Sequence, residues 1–332
     1  MPRPRIALTL GDPAGVGGEL AAKLLATPEA TEIADILVIA SREELDRAAL
    51  HAGVTLDIAD EPGTGRATLV DPRRSGDLPT GLGAVSAESG AWALDALRFC
   101  LELVTEDRVD AICFTPLNKT SLHLAGMTEN DELRWFAKTL RFAGNTSELN
   151  VLEPLWTARV TSHIALEDVA ARITADSVAT TILMLNRVLR DAGIQNPRIG
   201  VAALNPHAGE GGSFGRQEID AITPGIQNAR AEGVDATGPF ASDTVFLRAR
   251  SGQFDGVVTM YHDQGQIAMK MMGFDKGVTV QGGLPIPITT PAHGSAFDIA
   301  GANKADLGAT LNAFRLAVTL AARQDAQKRV SH

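Results

Sequence analysis

The sequence predicts an α/β protein built as two α/β/α domains with mostly parallel sheets and a cleft between them, and three observations predict it. Short apolar runs rich in β-branched residues alternate with longer stretches of helical periodicity, the pattern of a sheet covered by helices. The chain has 332 residues and is 45% hydrophobic, enough for about two domains of roughly 150 residues each. No internal repeat, low-complexity tract or long charge run points to a solenoid or a disordered tail.

Taken in order, the first strand is Ile6–Leu10, an apolar run that Gly11-Asp12-Pro13 stops. Further strands are expected at Ile36–Ala40, Ala67–Val70, Ala111–Thr115, Ala158–Ser162, Ile199–Leu204 and Gly256–Tyr261, each a short β-branched or apolar run. Helices of 3.6-residue periodicity fall between them: Gly18–Ala26, Arg42–Ala52, Gly83–Thr105, Thr128–Leu140, Leu166–Ala171, Ala175–Ala192, Gln217–Glu232 and Leu307–Gln327. The Gly-, Pro- and Thr-rich stretch Gly273–Gly294 reads as irregular chain. One domain is expected over residues 1–145 and 285–332, the other over 146–284.

Composition narrows the function. Thirty Lys and Arg against 40 Asp and Glu give a net charge of −10 without a basic run, so nucleic acid is not an expected partner. Aromatic residues are only 5%, too few for a base-stacking surface. Two cysteines, Cys100 and Cys113, make neither a disulfide framework nor a C-x-x-C site and read as buried thiols. The opening residues lead into a strand rather than a signal-peptide or membrane run, so a cytoplasmic location, no membrane and a small-molecule partner are expected.

Three of the seven histidines follow predicted strands: His163 after Ala-Arg-Val-Thr-Ser, His207 after Val-Ala-Ala-Leu-Asn-Pro, and His262 after Val-Val-Thr-Met-Tyr. Ligands of open α/β sheets bind outside the carboxyl ends of the strands, so residues 44 and 55 positions apart can converge there. Three imidazoles with an open position suit a catalytic zinc or another divalent ion that polarises an oxygen. Each histidine alone reads equally well as an ordinary turn or core residue, and the spacing matches no local zinc motif. His51, His123 and His332 have no comparable context. The loop Gly11-Asp-Pro-Ala-Gly-Val-Gly-Gly18 either offers backbone N–H groups to an anion or is a tight turn that needs its glycines, and it is not the dinucleotide G-x-G-x-x-G. A string of small residues with polar handles runs from His293 to Asn303.

Over nearly its whole length the chain resembles the 4-hydroxythreonine-4-phosphate dehydrogenase family, PdxA. The likeness rests on Gly11-Asp-Pro-Ala-Gly15, Thr115-Pro-Leu-Asn-Lys119, Asn205-Pro-His-Ala-Gly-Glu210, Tyr261-His-Asp-Gln-Gly265 and His293-Gly-Ser-Ala296, in the family's order and approximate spacing. It implies the isopropylmalate and isocitrate dehydrogenase type of fold. It also implies a homodimer whose shared sites bind a divalent metal through His163, His207 and His262, one of them from the second subunit. Zinc, manganese, magnesium, cobalt and nickel all suit such a site. NAD or NADP is expected on His293, Gly294, Ser295, Ala296, Asp298 and Asn303. The implied chemistry is oxidation of a hydroxy acid by hydride transfer to the nicotinamide, then loss of carbon dioxide from the β-keto acid, with electrostatic stabilisation of the oxygen charge. Lys270 takes the family's pocket-lysine position, and Asp243 and Asp263 are expected to orient the histidines or the metal site.

The departures concern the substrate. Glu129-Asn130-Asp131-Glu132 stands where the family has Gly-His-Thr-Glu, whose His and Thr hold the substrate phosphate. Thr279 and Ile288 replace its substrate-binding asparagine and arginine. An aspartate facing a phosphate is repulsive, and a lost arginine removes a bidentate anion contact. Asn130, Asp131, Arg134, Thr279 and Ile288 are therefore the candidate substrate positions, and Arg134, Lys138 or Arg141 is a candidate carboxylate partner, each reading otherwise as a solvated helix face. The pattern favours an unphosphorylated hydroxy acid, with 4-hydroxythreonine 4-phosphate retained. The alternatives are a carboxylated cis-dihydrodiol, as in terephthalate breakdown, a phosphate acyltransferase, and a non-catalytic metabolite-binding protein of the same fold.

Overall fold

The computed structural model describes residues 3–330 except 60, 62–63 and 73–75, and divides into two compact units, Met1–Phe142 with Leu284–His332, and Ala143–Gly283. The first unit opens with β1 (Arg5–Thr9), α1 (Gly17–Leu25), α2 (Pro28–Ile33), β2 (Asp35–Ile39), α3 (Arg42–Ala52), β3 (Ile58–Ala59) and β4 (Ala67–Val70). It continues through α4 (Ala87–Thr105), β5 (Ala111–Phe114), α5 (Lys119–Leu124) and α6 (Glu132–Thr139). The second unit comprises β6 (Ser147–Leu152), β7 (Leu155–Arg159), α7 (Leu166–Arg172), α8 (Ala175–Asp191), β8 (Arg198–Ala202), α9 (Thr223–Ala231), β9 (Asp235–Phe240), α10 (Ser242–Arg250), β10 (Gly256–Thr259), α11 (His262–Met271) and β11 (Val278–Gly282). The chain returns to the first unit with β12 (Ile288–Pro291) and α12 (Gly308–Val330).

In the first unit the strands run β3-β4-β2-β1-β5-β12, every pair parallel. Ile6, Leu8, Ile36, Val38 and Ile112 are at most 1% exposed, as expected of strands covered on both faces. Ser41 accepts a bond from the N–H of Glu44 at 3.1 Å and Gly53, at φ 64°, ends α3, so that helix has the bounds its cap and stop residues predict. Gly90 lets α4 lie against α5: a Cβ there would stand 1.9 Å from the Ser121 carbonyl oxygen. Phe136 is fully enclosed by a core that includes Leu97, Leu101 and Ile112.

In the second unit the order is β11-β6-β7-β10-β8-β9, with β11, β6 and β7 antiparallel and the remaining pairs parallel. The mostly parallel α/β class is thus the class of the chain. Several local expectations need correction. Gly273–Gly294 is not irregular, because Val278–Gly282 pairs along its whole length with β6 and Ile288–Thr289 pairs with β5. The helix expected from Gly83 starts at Ala87, since Gly83 has φ 67° and Ser86 caps the first turn. The one expected from Thr128 starts at Glu132, capped by Asp131. The strand expected at Ala158–Ser162 is Leu155–Arg159, and the helix from Gln217 begins as a π-helical turn, Glu218–Ile222.

Candidate active site

In the second unit, β7, β10 and β8 are neighbours, and each leads into a turn that carries one of the three histidines. The β7–β10 ladder continues past its strands through bonds from Val160 N to the Thr259 oxygen (2.9 Å) and from Thr161 N to the Met260 oxygen (3.1 Å). This fixes the two turns side by side. The His163 and His262 ring centroids lie 5.6 Å apart with planes inclined at 43°. His163 is in the left-handed region at φ 52°, an uncommon conformation for a non-glycine residue. His262 opens α11, and its Nδ1 is 2.7 Å from an oxygen of Asp263. A carboxylate on one ring nitrogen orients the other, which is how metal-bound histidines are usually held. Both rings line an open pocket of about 230 Å3 with Ser162, Tyr261 and Asp263.

His207 stands apart from this pair. Residues 207–211 all have positive φ, from 43° to 77°, so the chain makes a left-handed turn. The His207 ring is 6.2 Å from that of Phe214 and its Nδ1 is 3.7 Å from Glu210. Among the described residues no group of three His, Cys, Asp or Glu side chains is placed to hold a metal. Within one chain the structure brings two of the three histidines together, His163 and His262. Two imidazoles, one already oriented by a carboxylate, suit a divalent ion but leave its shell incomplete.

Lys270 is exposed in the last turn of α11, eight residues on from His262, or about 12 Å along the helix axis. Asp243 is exposed in the first turn of α10. Thr279 on β11 is 8% exposed and its hydroxyl accepts a 3.2 Å bond from Asn150.

In the first unit, the segment His293–Asn303 follows β12 and is held in shape by Ala296 and Asn303 at φ 42° and 56°. The buried Ser295 takes the N–H of Val16 on its carbonyl at 3.0 Å. His293 places Nδ1 3.0 Å from the Gly294 oxygen, Asp298 and Asn303 are exposed, and a Cβ on Gly294 would meet nothing within 4 Å. Open space over a glycine flanked by polar side chains fits a nucleotide. The loop at 11–18 is a tight turn whose glycines are needed: Gly11 is at φ 70° and a Cβ on Gly17 would stand 2.3 Å from the Leu10 oxygen. Four of its N–H groups are already committed: Asp12 to the Pro116 oxygen, Ala14 to the Asp12 carboxylate, Gly15 to the Asp12 carbonyl and Val16 to Ser295. Burial pushes the Asp12 carboxyl above its usual range, against bonds from Ala14 and Ser121.

The candidate substrate positions on this unit also change meaning. Asp131 is 1% exposed, caps α6 through the Arg134 N–H at 2.9 Å, and pairs with the Arg134 guanidinium. Lys138 pairs with Glu129, which holds that carboxyl below its usual range. Arg134 and Lys138 thus meet the chain's own carboxylates. Asn130 is exposed just ahead of the cap, and Arg141 follows the helix at φ 52°. Ile288 is 0% exposed in the apolar core, so a direct substrate contact by its side chain is corrected to a packing role. His332 lies outside the described residues.

Glu218, which sequence reasoning missed, and Gln264, which it met only as part of a motif, tie down the histidine turns. Glu218 is 3% exposed and accepts bonds from Leu204 N and Asn205 N at 2.8 and 2.7 Å. Gln264 accepts from Met260 N at 2.7 Å and donates to the Ala203 oxygen at 2.8 Å.

A two-unit α/β chain whose paired histidines follow parallel strands has the build of an enzyme that binds its ligand at the carboxyl ends of its strands. Residues 32–317 match the model of the family described as pyridoxal phosphate biosynthetic protein PdxA, and the chain belongs to that family. It is 51% identical over 330 residues, 95% of this chain and 96% of the other, to a Pseudomonas aeruginosa protein provisionally named 4-hydroxythreonine-4-phosphate dehydrogenase 2. It is 37% identical to D-threonate 4-phosphate dehydrogenase of Cupriavidus necator, across 97% of this chain and 98% of that one. The solved 4-hydroxythreonine-4-phosphate dehydrogenase of Klebsiella pneumoniae superposes with a TM-score of 0.81 at 34% identity, covering 96% and 99%. A terephthalate 1,2-cis-dihydrodiol dehydrogenase from Burkholderia xenovorans gives 0.69 at 28%, covering 96% and 98%. The chain is accordingly an oxidoreductase of the PdxA type, a family that implies a nicotinamide cofactor and a divalent metal. None of its described helices is long and apolar enough to cross a membrane.

Proposed function

We propose that the chain is a metal-dependent NAD(P) dehydrogenase that oxidises a hydroxyl of a small hydroxy acid in a homodimer with shared sites. The observation that carries the reading is the His163–His262 pair, 5.6 Å apart and one ligand short, with His207 turned outward on the same unit. His163 and His262 of one copy and His207 of another make up three ligands. Exposed apolar side chains stand by each: Ile164 and Leu166 after His163, Phe214 and Ile219 after His207, Ile267 and Met271 on α11. Such apolar exposure is typical of a surface that another chain covers.

The bound ion would supply Lewis acidity at the substrate oxygen, which favours both hydride loss and a later decarboxylation. Asp263 keeps the His262 ring in the tautomer whose free nitrogen faces the pocket. Lys270 is the candidate for holding a substrate anion or moving a proton, and His293–Asn303 for holding the nucleotide.

For the substrate, the relatives' names favour a four-carbon hydroxy acid 4-phosphate, of the 4-hydroxythreonine or D-threonate kind. A second reading, an unphosphorylated carboxylate, is favoured by Asp131, which fills the α6 N-terminus with the chain's own negative charge. A terephthalate-type dihydrodiol belongs to this second reading.

The test is reduction of NAD and NADP followed at 340 nm with zinc, manganese or magnesium over both substrate classes, together with subunit mixing. Separately inactive His163→Ala and His207→Ala chains, remixed, regain about a quarter of the activity if the site is shared, because half the dimers then hold one intact site. No recovery on mixing, with heterodimers demonstrated, rejects the shared site.

A further inference from the structure

Three consecutive residues at the end of β8 are gripped by side chains from elsewhere in the second unit. The Ala203 oxygen accepts from Gln264 Nε2 at 2.8 Å and from Ser242 Oγ at 2.9 Å. The N–H groups of Leu204 and Asn205 both donate to one oxygen of Glu218, at 2.8 and 2.7 Å. The other Glu218 oxygen accepts from the Asn205 side chain at 2.9 Å. A carboxylate with three donors, 3% exposed, is a rigid clamp, because releasing any donor leaves a buried polar group unmade.

Beyond the clamp comes the left-handed turn. His207, Ala208 and Glu210 are non-glycine residues at φ 52°, 54° and 43°. Left-handed backbone costs L-residues on the order of 1–2 kcal/mol each, so it persists only where its surroundings impose it. Glycine at 209 brings the turn against the clamp: a Cβ there would lie 2.7 Å from a Glu218 oxygen. Glu218 itself starts the π-helical turn Glu218–Ile222, a distortion that recurs at functional sites.

We propose that Glu218 is the positioning residue for His207: its carboxylate holds residues 204–205 so that the left-handed turn presents the imidazole outward. Gln264 ties the same strand end to the turn that carries His262, through Met260 N at 2.7 Å. One rigid strand end therefore sets where both histidines stand. The inference rests on the reading of His207 as a metal ligand.

The experiment is a double-mutant cycle on the full-length protein, read as zinc affinity by calorimetry for wild type, Glu218→Gln, His207→Ala and the double variant. Glu218→Gln keeps the size and one acceptor but sets an amide N–H2 against that of Asn205. Expected is a tenfold or larger loss of zinc affinity in the wild-type background and no further loss in His207→Ala. An equal loss in both backgrounds overturns the proposal, since a general loosening of the fold does not depend on His207. If His207→Ala leaves zinc affinity unchanged, the ligand reading fails separately. The positioning claim is then decided by the crystal structure of Glu218→Gln, in which residues 207–211 that keep their positive φ overturn it. Should Glu218→Gln not fold, Asn205→Ala, which removes the side-chain bonds to Glu218 and Gln217 at 2.9 and 2.7 Å but leaves both backbone bonds of the clamp, takes its place in the same cycle and crystal structure.

Discussion

Replacing Gly15 by alanine tests whether the His293–Asn303 segment carries the nucleotide. Gly15 lies flat against Ser295, and the added Cβ would stand 2.7 Å from the Ser295 oxygen and 2.8 Å from its Cβ. Carbon atoms rest at about 3.5–4.0 Å, so relief needs a movement of roughly 1 Å. The segment cannot simply retreat, because the same Ser295 oxygen holds the Val16 N–H at 3.0 Å. Overpacking of this kind costs about 1–3 kcal/mol, and weakening the hydrogen bond about 1 more. A shift of about 1 Å in a positioning element costs on the order of a hundredfold in rate. The assay is NADH or NADPH affinity by quenching of protein fluorescence, with thermal unfolding measured beside it. Expected is a lower melting temperature together with a tenfold or greater loss of dinucleotide affinity. Gly81→Ala, where the added Cβ meets nothing within 4 Å, should change neither. Loss of stability with affinity kept within twofold would refute the assignment of the dinucleotide to this segment.

Asp263→Asn removes the charge that orients His262 at 2.7 Å and should weaken zinc binding about 10- to 100-fold, measured by calorimetry; unchanged affinity would remove Asp263 from the metal site. Burial raises the Asp12 carboxyl, so the folded state binds its proton more tightly than the unfolded one. The sign follows from linkage: Asp12 costs stability as pH rises from the ordinary carboxylate range through its raised folded value. Asp12→Asn, which keeps an oxygen for the Ala14 N–H, should therefore gain stability relative to wild type between acid and neutral pH. Denaturant melts across that range check it, and a difference that does not vary with pH counts against a raised Asp12. Cys113 is buried with its thiol pushed up to about 12, and Cys100 is buried too, so the native protein should not react with a disulfide dye at pH 8. Both thiols should appear on unfolding, and rapid native labelling would contradict the burial.

What was legible in the sequence was local and self-punctuated. Arg42–Ala52 and Ala67–Val70 have the bounds the sequence predicts, the former because Ser41 and Gly53 mark both ends. The edges of α4 and α6 were readable as well: Ser86 and Asp131 are ordinary caps, passed over because apolar periodicity extends further upstream. Reading Asp131 as a charge facing substrate missed its use as a cap. β11 and β12 were hidden because their glycines and prolines outweigh a short alternating run, and only pairing with β6 and β5 makes them strands. The histidines' positions after three strands were legible, but the hand of the His207 turn was not. Gly209, Gly211 and Gly212 mark a turn there, yet nothing in Ala208 or Glu210 signals positive φ. Glu218 was missed because its partners are backbone N–H groups 13 and 14 residues away, with no side-chain pattern to betray them. An acidic residue inside an apolar helical stripe was the one available hint.

The charge arrangement around α6 bears on whether a phosphate could be received at this helix. A helix N-terminus attracts one anion, through its unpaired N–H groups and its dipole. In this chain Asp131 is that anion, and its guanidinium partner comes from the same helix three residues on. Glu129 and Lys138 repeat the pairing beside it. The four side chains cancel in charge, so this end of α6 has little positive field left to offer. A phosphate placed there would have to displace a buried carboxylate from its cap and its arginine, losing a charge-assisted bond for each one it makes. If the substrate carries a phosphate, that group must be met by cations outside this helix. If it does not, the same pairing leaves the position filled by the chain's own carboxylate.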